Sequence, residues 1–272
     1  LLRKMNILMM KIVKVLCVIA EIGQRRLKMA EKSKIQWTNS SWNPTTGCTK
    51  VSEGCANCYA ETLSVRLQKT GSHRYRNAFK LTLHPDALNI PLKWKQPKKI
   101  FVNSMSDLFH KDIPFEFIDK VWDVMMQADW HTYQILTKRP EIMSEYIERR
   151  WGNRGGITTH HIWLGTSVEN QKAKSRIDIL RKVKAKIRFL SLEPLLEDLG
   201  ELNLEGIHWV IVGGESGKNH RPFKEEWALN ILKQCRKQNV PFFFKQVGGI
   251  TTKSGGRLLQ GKTYDEYPNG GN

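Results

Sequence analysis

The sequence predicts an α/β fold built around a parallel sheet. Two observations carry this: six short apolar, β-rich runs, and helix-patterned segments that alternate with them. A third narrows it. No GxGxxG follows the first clear run, which weakens a dinucleotide-binding version of the fold. The runs lie at 99–103 (KIFVN), 132–137 (TYQILT), 161–166 (HIWLGT), 187–191 (IRFLS), 209–213 (WVIVG) and 241–245 (PFFFK). Each is bounded by polar or turn residues and holds few charges, as strands covered on both faces do. Residues 113–129 read as a helix, with Pro114 near the first turn and Phe117, Ile118, Val121, Trp122, Met125 and Ala128 on one stripe. Residues 140–150, 169–183 and 222–238 read the same way. In the last, Trp227, Ile231 and Cys235 recur every fourth residue, so Cys235 is expected as a core thiol. Six strand–helix alternations imply right-handed crossovers. A closed or partly closed barrel and an open doubly wound sheet both satisfy the pattern.

The chain of 272 residues is 40% apolar, which excludes wholesale disorder and supplies a core without disulfide staples. Five cysteines are an odd and sparse set. They argue against a secreted disulfide scaffold and for a reducing, cytoplasmic setting. The formal charge of +18 predicts attraction to polyanions, with nucleic acid or a nucleotide as the first candidate partner. The bland alternative is a solvated basic surface. Residues 1–28 read unlike the rest, as an over-extended start or a disordered basic segment; a basic amphipathic helix and a targeting signal are the other readings. Lys11 and Lys14 interrupt the apolar stretch, and the segment is too charged to span a membrane. Removing seven of the 44 bases and one of the 26 acids leaves 37 against 25, so the remainder stays basic. Residues 29–248 are expected to form the α/β domain, and 249–272, rich in Gly, Lys and Thr, a loose tail.

The sharpest motif is a cysteine cluster. Cys48, Cys55 and Cys58 form C-x6-C-x2-C, with Gly47 and Gly54 allowing a tight backbone path. Cys55 and Cys58, three apart, can point at one metal. A helix follows on which Tyr59, Ala60, Leu63 and Leu67 share a face, so the pair sits at a helix start where the dipole favours thiolates. Three thiolates leave a fourth position open. Structural zinc would take His73 or His84 to complete it. A cubane iron–sulfur cluster would instead keep one iron free for an exogenous ligand. Unliganded structural cysteines are the remaining alternative.

In barrels and open α/β sheets ligands bind at the carboxyl ends of strands. In order, those ends carry Asn103, Ser104, Ser106 and Asp107; Thr137, Lys138 and Arg139; Thr166, Ser167 and Glu169; Ser191 and Glu193; Gly213, Gly214, Glu215 and Ser216; and Lys245 with Gln246. Buried charge is costly unless paired, so six polar ends beside apolar strands point to a site. Helix capping by Ser104, Ser167 and Ser191, with ion pairs around the rim, is the structural alternative. Lys138, Arg139 and Lys245 are expected to face an anionic substrate. Asp107, Glu193 and Glu215 are the candidates for proton handling and catalysis.

The motifs 42–48 (WNPTTGC), 54–61 (GCANCYAE), 101–109 (FVNSMSDLF), 136–140 (LTKRP), 163–169 (WLGTSVE), 189–194 (FLSLEP), 210–217 (VIVGGESG) and 241–246 (PFFFKQ) together resemble a phage and prophage protein family of unknown function. That family is similar to a divergent branch of the radical S-adenosylmethionine (SAM) enzymes, in the style of the spore photoproduct lyase-like group. The resemblance implies a partial (β/α)6 TIM-like barrel of parallel strands. It also implies a [4Fe–4S] cluster on Cys48, Cys55 and Cys58, with SAM chelating the open iron and yielding a radical that abstracts hydrogen from substrate. On this resemblance Asn103, Ser104, Ser106, Asp107, Ser167, Glu169, Glu193, Gly213 and Gly214 are expected to line the SAM site. The first cysteine gap is six residues where the superfamily usually has three. The Gly213-Gly214-Glu215 run comes late, so residues 103–107 are the expected partner of the SAM amino group. The expectation is an iron–sulfur enzyme that cleaves SAM to modify or repair a nucleotide or nucleic acid. The alternative is a zinc-stabilised, phage-type nucleic-acid-binding protein without catalysis. A partner protein encoded nearby is a further expectation, and a membrane association is not.

Overall fold

In the computed structural model the described residues are 33–251 and 253–268, so the segment 1–28 lies outside them. The six apolar runs all become strands, and a seventh, shorter strand precedes them. We number them β1 (Ser40–Trp42), β2 (Thr45–Thr46), β3 (Thr82–Leu83), β4 (Lys99–Val102), β5 (Thr132–Thr137), β6 (Ile162–Ser167), β7 (Ile187–Leu192), β8 (Trp209–Gly213) and β9 (Phe242–Gln246). The helices are α1 (Tyr59–Lys69), α2 (Phe115–Gln127), α3 (Pro140–Trp151), α4 (Ser175–Lys182) and α5 (Glu225–Lys237). The main sheet runs β1-β4-β5-β6-β7-β8-β9, and every neighbouring pair is parallel. It is a seven-stranded parallel half-barrel: β1 and β9 form its two edges and do not pair with each other. β2 and β3 make a separate two-stranded antiparallel ribbon. Among the described residues no helix is long and apolar enough to cross a membrane.

Period-2 alternation explains why the strands are apolar throughout. Ile100, Val102, Ile135, Leu164, Leu190, Val210 and Phe244 join the large core cluster that also holds the helix residues Ile118, Val121 and Ile231. Their neighbours Phe101, Trp163, Phe189, Trp209 and Phe243 form a second cluster with Trp37 on the other face. Trp209 is its hub, with ring centroids 5.7 Å from both Trp163 and Phe189 and 6.0 Å from Phe243. Gly165 is required here, because a Cβ would come within 2.5 Å of the Phe189 ring. This aromatic plug fills the inner face toward the amino ends of the strands. The polar residues that follow each strand are thereby left at the other end.

Three features differ from the sequence expectation. The connection from β7 to β8 contains no α-helix. Instead Leu195, Leu199, Leu202 and Leu204 are buried from an irregular segment and cover the sheet there. The helix expected over 169–183 is split, because Asn170 Oδ1 accepts from the Ala173 amide at 3.1 Å and caps a short 3-10 turn ahead of α4. The tail, expected to be loose, is held on the barrel through its described residues 264–267. Phe244 N–H donates to Tyr264 O at 2.9 Å, the Trp209 indole to Glu266 O at 2.7 Å, and Tyr267 stacks 5.1 Å from Trp209. Its two tyrosines supply apolar surface that the Gly and Lys content obscured. Cys235, expected in the core, is fully buried, and burial pushes its thiol up to about 12.

Burial also fixes the acid sensitivity of the fold. It holds His84, His110, His131, His161 and His208 below the ordinary imidazole value of 6.5, His84 at about 4. As pH falls from 6.5 toward 4, the unfolded chain takes up protons that the folded chain refuses, so stability is lost across that window. Urea unfolding between pH 7.5 and 4.5 should show stability declining below pH 6.5, before most carboxylates titrate. A flat profile to pH 4.5 would contradict it.

Candidate functional site

β1 delivers the chain to the carboxyl edge of the sheet, and the cysteine loop follows at once. Gly47 turns there with φ +83° and passes so close to Lys80 that a Cβ would lie 2.3 Å from its carbonyl oxygen. The Cys48 amide donates to Phe79 O at 3.1 Å, and the Gly47 amide to Met105 O at 3.0 Å. Cys55 ends a short 3-10 turn, and Cys58 immediately precedes α1. All three thiols are free and partly exposed. All three line one cavity of about 290 Å³ whose other wall is made by the strand ends: Asn103, Ser104, Ser106 and Asp107, then Thr137, Lys138 and Arg139, then Ser167, Ser191, Glu193, Gly214, Glu215, Ser216, Lys245 and Gln246. Ile35, Trp37, Phe101 and Leu136 give it an apolar side. Thr166, Glu169 and Gly213 do not line it.

Three acid–arginine pairs bind the cysteine loop to the barrel. Asp107 Oδ2 accepts from Arg139 Nη1 at 2.8 Å; the same Nη1 lies 3.6 Å from Cys48 Sγ, and Arg139 Nη2 donates to Thr49 O and Oγ1, each at 3.0 Å. Asp107 also accepts from Thr137 Oγ1 at 2.7 Å and from the Phe109 and Lys138 amides. Glu169 pairs with Arg176 at 2.9 Å and accepts from the Gly54 amide at 3.4 Å. Glu215 pairs with Arg221 at 2.5 Å and accepts from Asn57 Nδ2 at 3.0 Å, while Arg221 Nη1 reaches Glu53 O at 3.0 Å. Burial opposes charge on Glu169, but Lys138, Ser52 and Arg176 outweigh it and hold the carboxyl below the usual range. Arg221 and Asn57 do the same for Glu215 against its burial. Arg139 therefore sits buried in a network with Asp107 rather than open to solvent.

The other predicted residues divide in two. Asn103, at φ 61°, donates from Nδ2 to Thr45 Oγ1 at 2.9 Å; Ser104 Oγ donates to Asn43 Oδ1 at 3.2 Å and Ser106 Oγ to Gly47 O at 2.7 Å. These brace the start of the loop. Glu193 and Lys245 instead pair with each other inside the cavity at 2.6 Å, with Ser191 Oγ donating to Glu193 at 3.2 Å. Gly213 leaves room for that carboxylate, since a Cβ would lie 3.1 Å from Glu193 Oε2. Lys138 lines the cavity without an ion pair within 4.0 Å among the described residues.

Burial, then Asp107, push the Cys48 thiol up, with Arg139 pulling the other way. Burial also raises Cys58, opposed by the backbone amides of Glu61 and Ala60 in the open first turn of α1. The face expected for α1 is met only in part: Ala60 is buried, with Ser64 beside it, and Leu67 is half-buried, but Tyr59 and Leu63 are 52% and 38% exposed. The Tyr59 hydroxyl is nevertheless tucked in, donating to Ser104 O at 2.5 Å.

Neither histidine considered for zinc reaches the cavity. His84 Nε2 is 2.8 Å from Thr46 Oγ1, and His73 Nε2 is 3.1 Å from Arg76 Nη1. Among the described residues no group of three or more His, Cys, Asp or Glu side chains is gathered so as to hold a single metal ion. The thiols instead surround a shared space. A structural zinc site would need four such ligands within about 2.0–2.3 Å of one point. Thr49, Asn57, Arg176 and Arg221 escaped the sequence reading. The arginines follow their acids by seven and six residues, which is a local signal, but Thr49 and Asn57 find partners only through the fold.

The residue pattern of a protein family described as "Protein of unknown function (DUF5131)" matches residues 32–268. No curated protein matches the sequence. Among solved structures the chain is similar to spore photoproduct lyase complexed with dinucleoside spore photoproduct, at 14% identity and a TM-score of 0.44. It is similar also to a variant of that lyase with bound AdoMet and dinucleoside spore photoproduct, at 11% identity and a TM-score of 0.43. The first match covers 76% of this chain and 63% of that one, the second 74% and 62%. The chain thus spans less than two thirds of the length of the solved proteins it matches.

Proposed function

The chain belongs to the family described as protein of unknown function (DUF5131), and from the geometry of its site we propose that it is an iron–sulfur enzyme of the radical SAM type acting on a nucleotide or nucleic-acid substrate. The observation that carries this is the shared cavity. Three free cysteines form one of its walls, and the polar carboxyl ends of a parallel half-barrel form the other. Cys48, Cys55 and Cys58 would hold a [4Fe–4S] cluster, and three thiolates leave one iron open to SAM. When bound, cluster and SAM supply one-electron reductive chemistry that no side chain offers.

The chain's own groups then divide the remaining work. Asp107–Arg139, Glu169–Arg176 and Glu215–Arg221 keep the loop in place with buried charge, which is favourable only because each acid is fully partnered. Glu193 and Lys245 present a carboxylate and an ammonium side by side in the cavity, a match for a zwitterionic ligand. Lys138, whose charge acts on Glu169 but which makes no ion pair within 4.0 Å among the described residues, adds a positive charge for an anionic group. Glu193 is the carboxylate best placed to handle a proton at a ligand: its partners are the Lys245 ammonium and the Ser191 hydroxyl inside the cavity, whereas Asp107 and Glu215 are each held by an arginine and by further donors that tie down the cysteine loop. The apolar side made by Trp37, Phe101 and Leu136 excludes water from the reacting centre. The net charge of +18 supports an anionic substrate.

Anaerobic reconstitution with iron and sulfide should load about three to four irons per chain and give broad visible absorption that SAM perturbs. It should also yield reductant-dependent SAM cleavage. One zinc per chain, with no cluster after reconstitution, would overturn the proposal.

A further inference from the structure

We propose that the segment from α1 to Lys80 is a nucleic-acid arm, which leads an unpaired strand into the cavity. This deepens the functional reading above, and rests on it for placing the reacting nucleotide at the cysteines. The segment leaves the cavity at Cys58, runs out along α1, turns through a short 3-10 helix at His73–Tyr75, and returns at Phe79, which lines the cavity again. Hydrogen bonds fold it back on itself: Ser72 N–H donates to Leu67 O at 3.0 Å and Gln68 Nε2 to Arg76 O at 2.8 Å.

Its charge is one-sided. From Arg66 to Lys80 there are five bases and no acid. Arg74 is committed to the Asn43 carbonyl. Arg66, Lys69, Arg76 and Lys80 are exposed, and none is in an ion pair among the described residues. The nearby acids do not neutralise them: Glu61 pairs with Lys50 at 3.0 Å, and Asp86 acts on Arg74. Elsewhere on the surface some bases, such as Arg149, Lys172, Lys184 and Arg236, are matched to carboxylates, while others, such as Lys182 and Lys186, have no such match among the described residues; what marks the arm is four unpaired bases on one segment that starts and ends at the cavity.

The apolar exposure of α1 leads to the first of these bases. Tyr59, Leu63 and Arg66 fall at i, i+4 and i+7, so one helix stripe reads aromatic, aliphatic, basic from the cavity outward. Tyr59 lines the cavity and is 52% exposed while its hydroxyl is anchored to Ser104 O, so the ring is fixed at the mouth at little entropic cost. A π-face beside a row of unpaired cations is the pattern that binds single strands: bases stack and phosphates meet the charges. A membrane surface would use the cations but has no need of a ring fixed at a cavity mouth, and a base to be modified must leave its stack to enter such a space.

The test is fluorescence-anisotropy binding of a labelled 12-nucleotide single strand to the full chain, with and without reconstituted cluster. Four phosphate contacts predict a log–log salt slope of about −3, or about 50-fold weaker binding from 50 to 200 mM salt. The Arg66→Gln/Lys69→Gln/Arg76→Gln/Lys80→Gln variant should lose most of that slope, and Tyr59→Leu should weaken binding without changing it. Lys182→Gln/Lys186→Gln, at the end of α4 and just before β7, at the opposite end of the strands, should change neither. The proposal is overturned if the fourfold variant binds like wild type. It is equally overturned if poly-glutamate or phosphatidylserine vesicles compete as well as the oligonucleotide. Iron content and SAM cleavage report separately on the functional reading: strand binding that persists in protein unable to load iron would sink that reading and leave the arm standing.

Discussion

Cys48→Ala is expected to abolish iron loading and SAM cleavage while leaving the half-barrel folded. The thiol contributes little to the fold. Its polar partners are the Thr49 carbonyl at 3.5 Å and Arg139 Nη1 at 3.6 Å, and the guanidinium keeps Asp107 and Thr49 without it. The loop backbone is held independently, by the Cys48 amide on Phe79 O and the Ser106 hydroxyl on Gly47 O. Loss of stability on unfolding in urea should therefore stay within about 1 kcal/mol, the range of one modest hydrogen bond. A structural metal site behaves otherwise, because metal affinity there is folding free energy and removing a ligand unfolds the domain. Iron and sulfide analysis together with a urea melt of the variant separates the two cases. A chain that fails to fold without Cys48 would count against a cofactor seated on a preformed barrel.

The same separation between scaffold and cofactor governs what the sequence disclosed. The strands β4 to β9 were legible because both of their faces are buried, so each reads as an unbroken apolar run. β1 was not, because Ser40–Trp42 is three residues long and mostly polar; it becomes a strand only by pairing with β4. The face of α1 was misread for a related reason. Tyr59 and Leu63 look like core residues by period alongside Ala60, but only Ala60 of the three is buried, and Ser64 takes the place beside it. Position along the chain also identified the acids at strand ends, but not their duties. Asp107, Glu169 and Glu215 look interchangeable with Glu193 in sequence. What divides them is whether a guanidinium and a loop amide converge on the carboxylate, and Gly54 and Asn57 lie more than a hundred residues from the acids they meet.

That division can be measured at Asp107. Asp107→Asn preserves shape and changes charge, and it is expected to cost about 3–5 kcal/mol, because it leaves Arg139 buried without its counter-ion. The side chains of Asp107 and Arg139 are only 8% and 9% exposed, so solvent cannot replace the lost partner. Three donors besides Arg139 also point at this carboxylate, the Thr137 hydroxyl and the amides of Phe109 and Lys138, and an amide NH2 facing any of them is repelled. The damage should spread to the cysteine loop, since Arg139, together with His110 at 2.9 Å from the Thr49 hydroxyl, ties Thr49 to the barrel. Hydrogen exchange at residues 47–50 should quicken together with the drop in unfolding free energy. Adding Arg139→Met to Asp107→Asn should restore part of the loss, because removing both charges avoids the uncompensated one, and the cycle of single and double variants then gives the coupling directly. A single Asp107→Asn variant within about 1 kcal/mol of wild type, with unchanged exchange in the loop, would mean that the carboxylate is free to serve a ligand instead, as its place at the end of β4 first suggested.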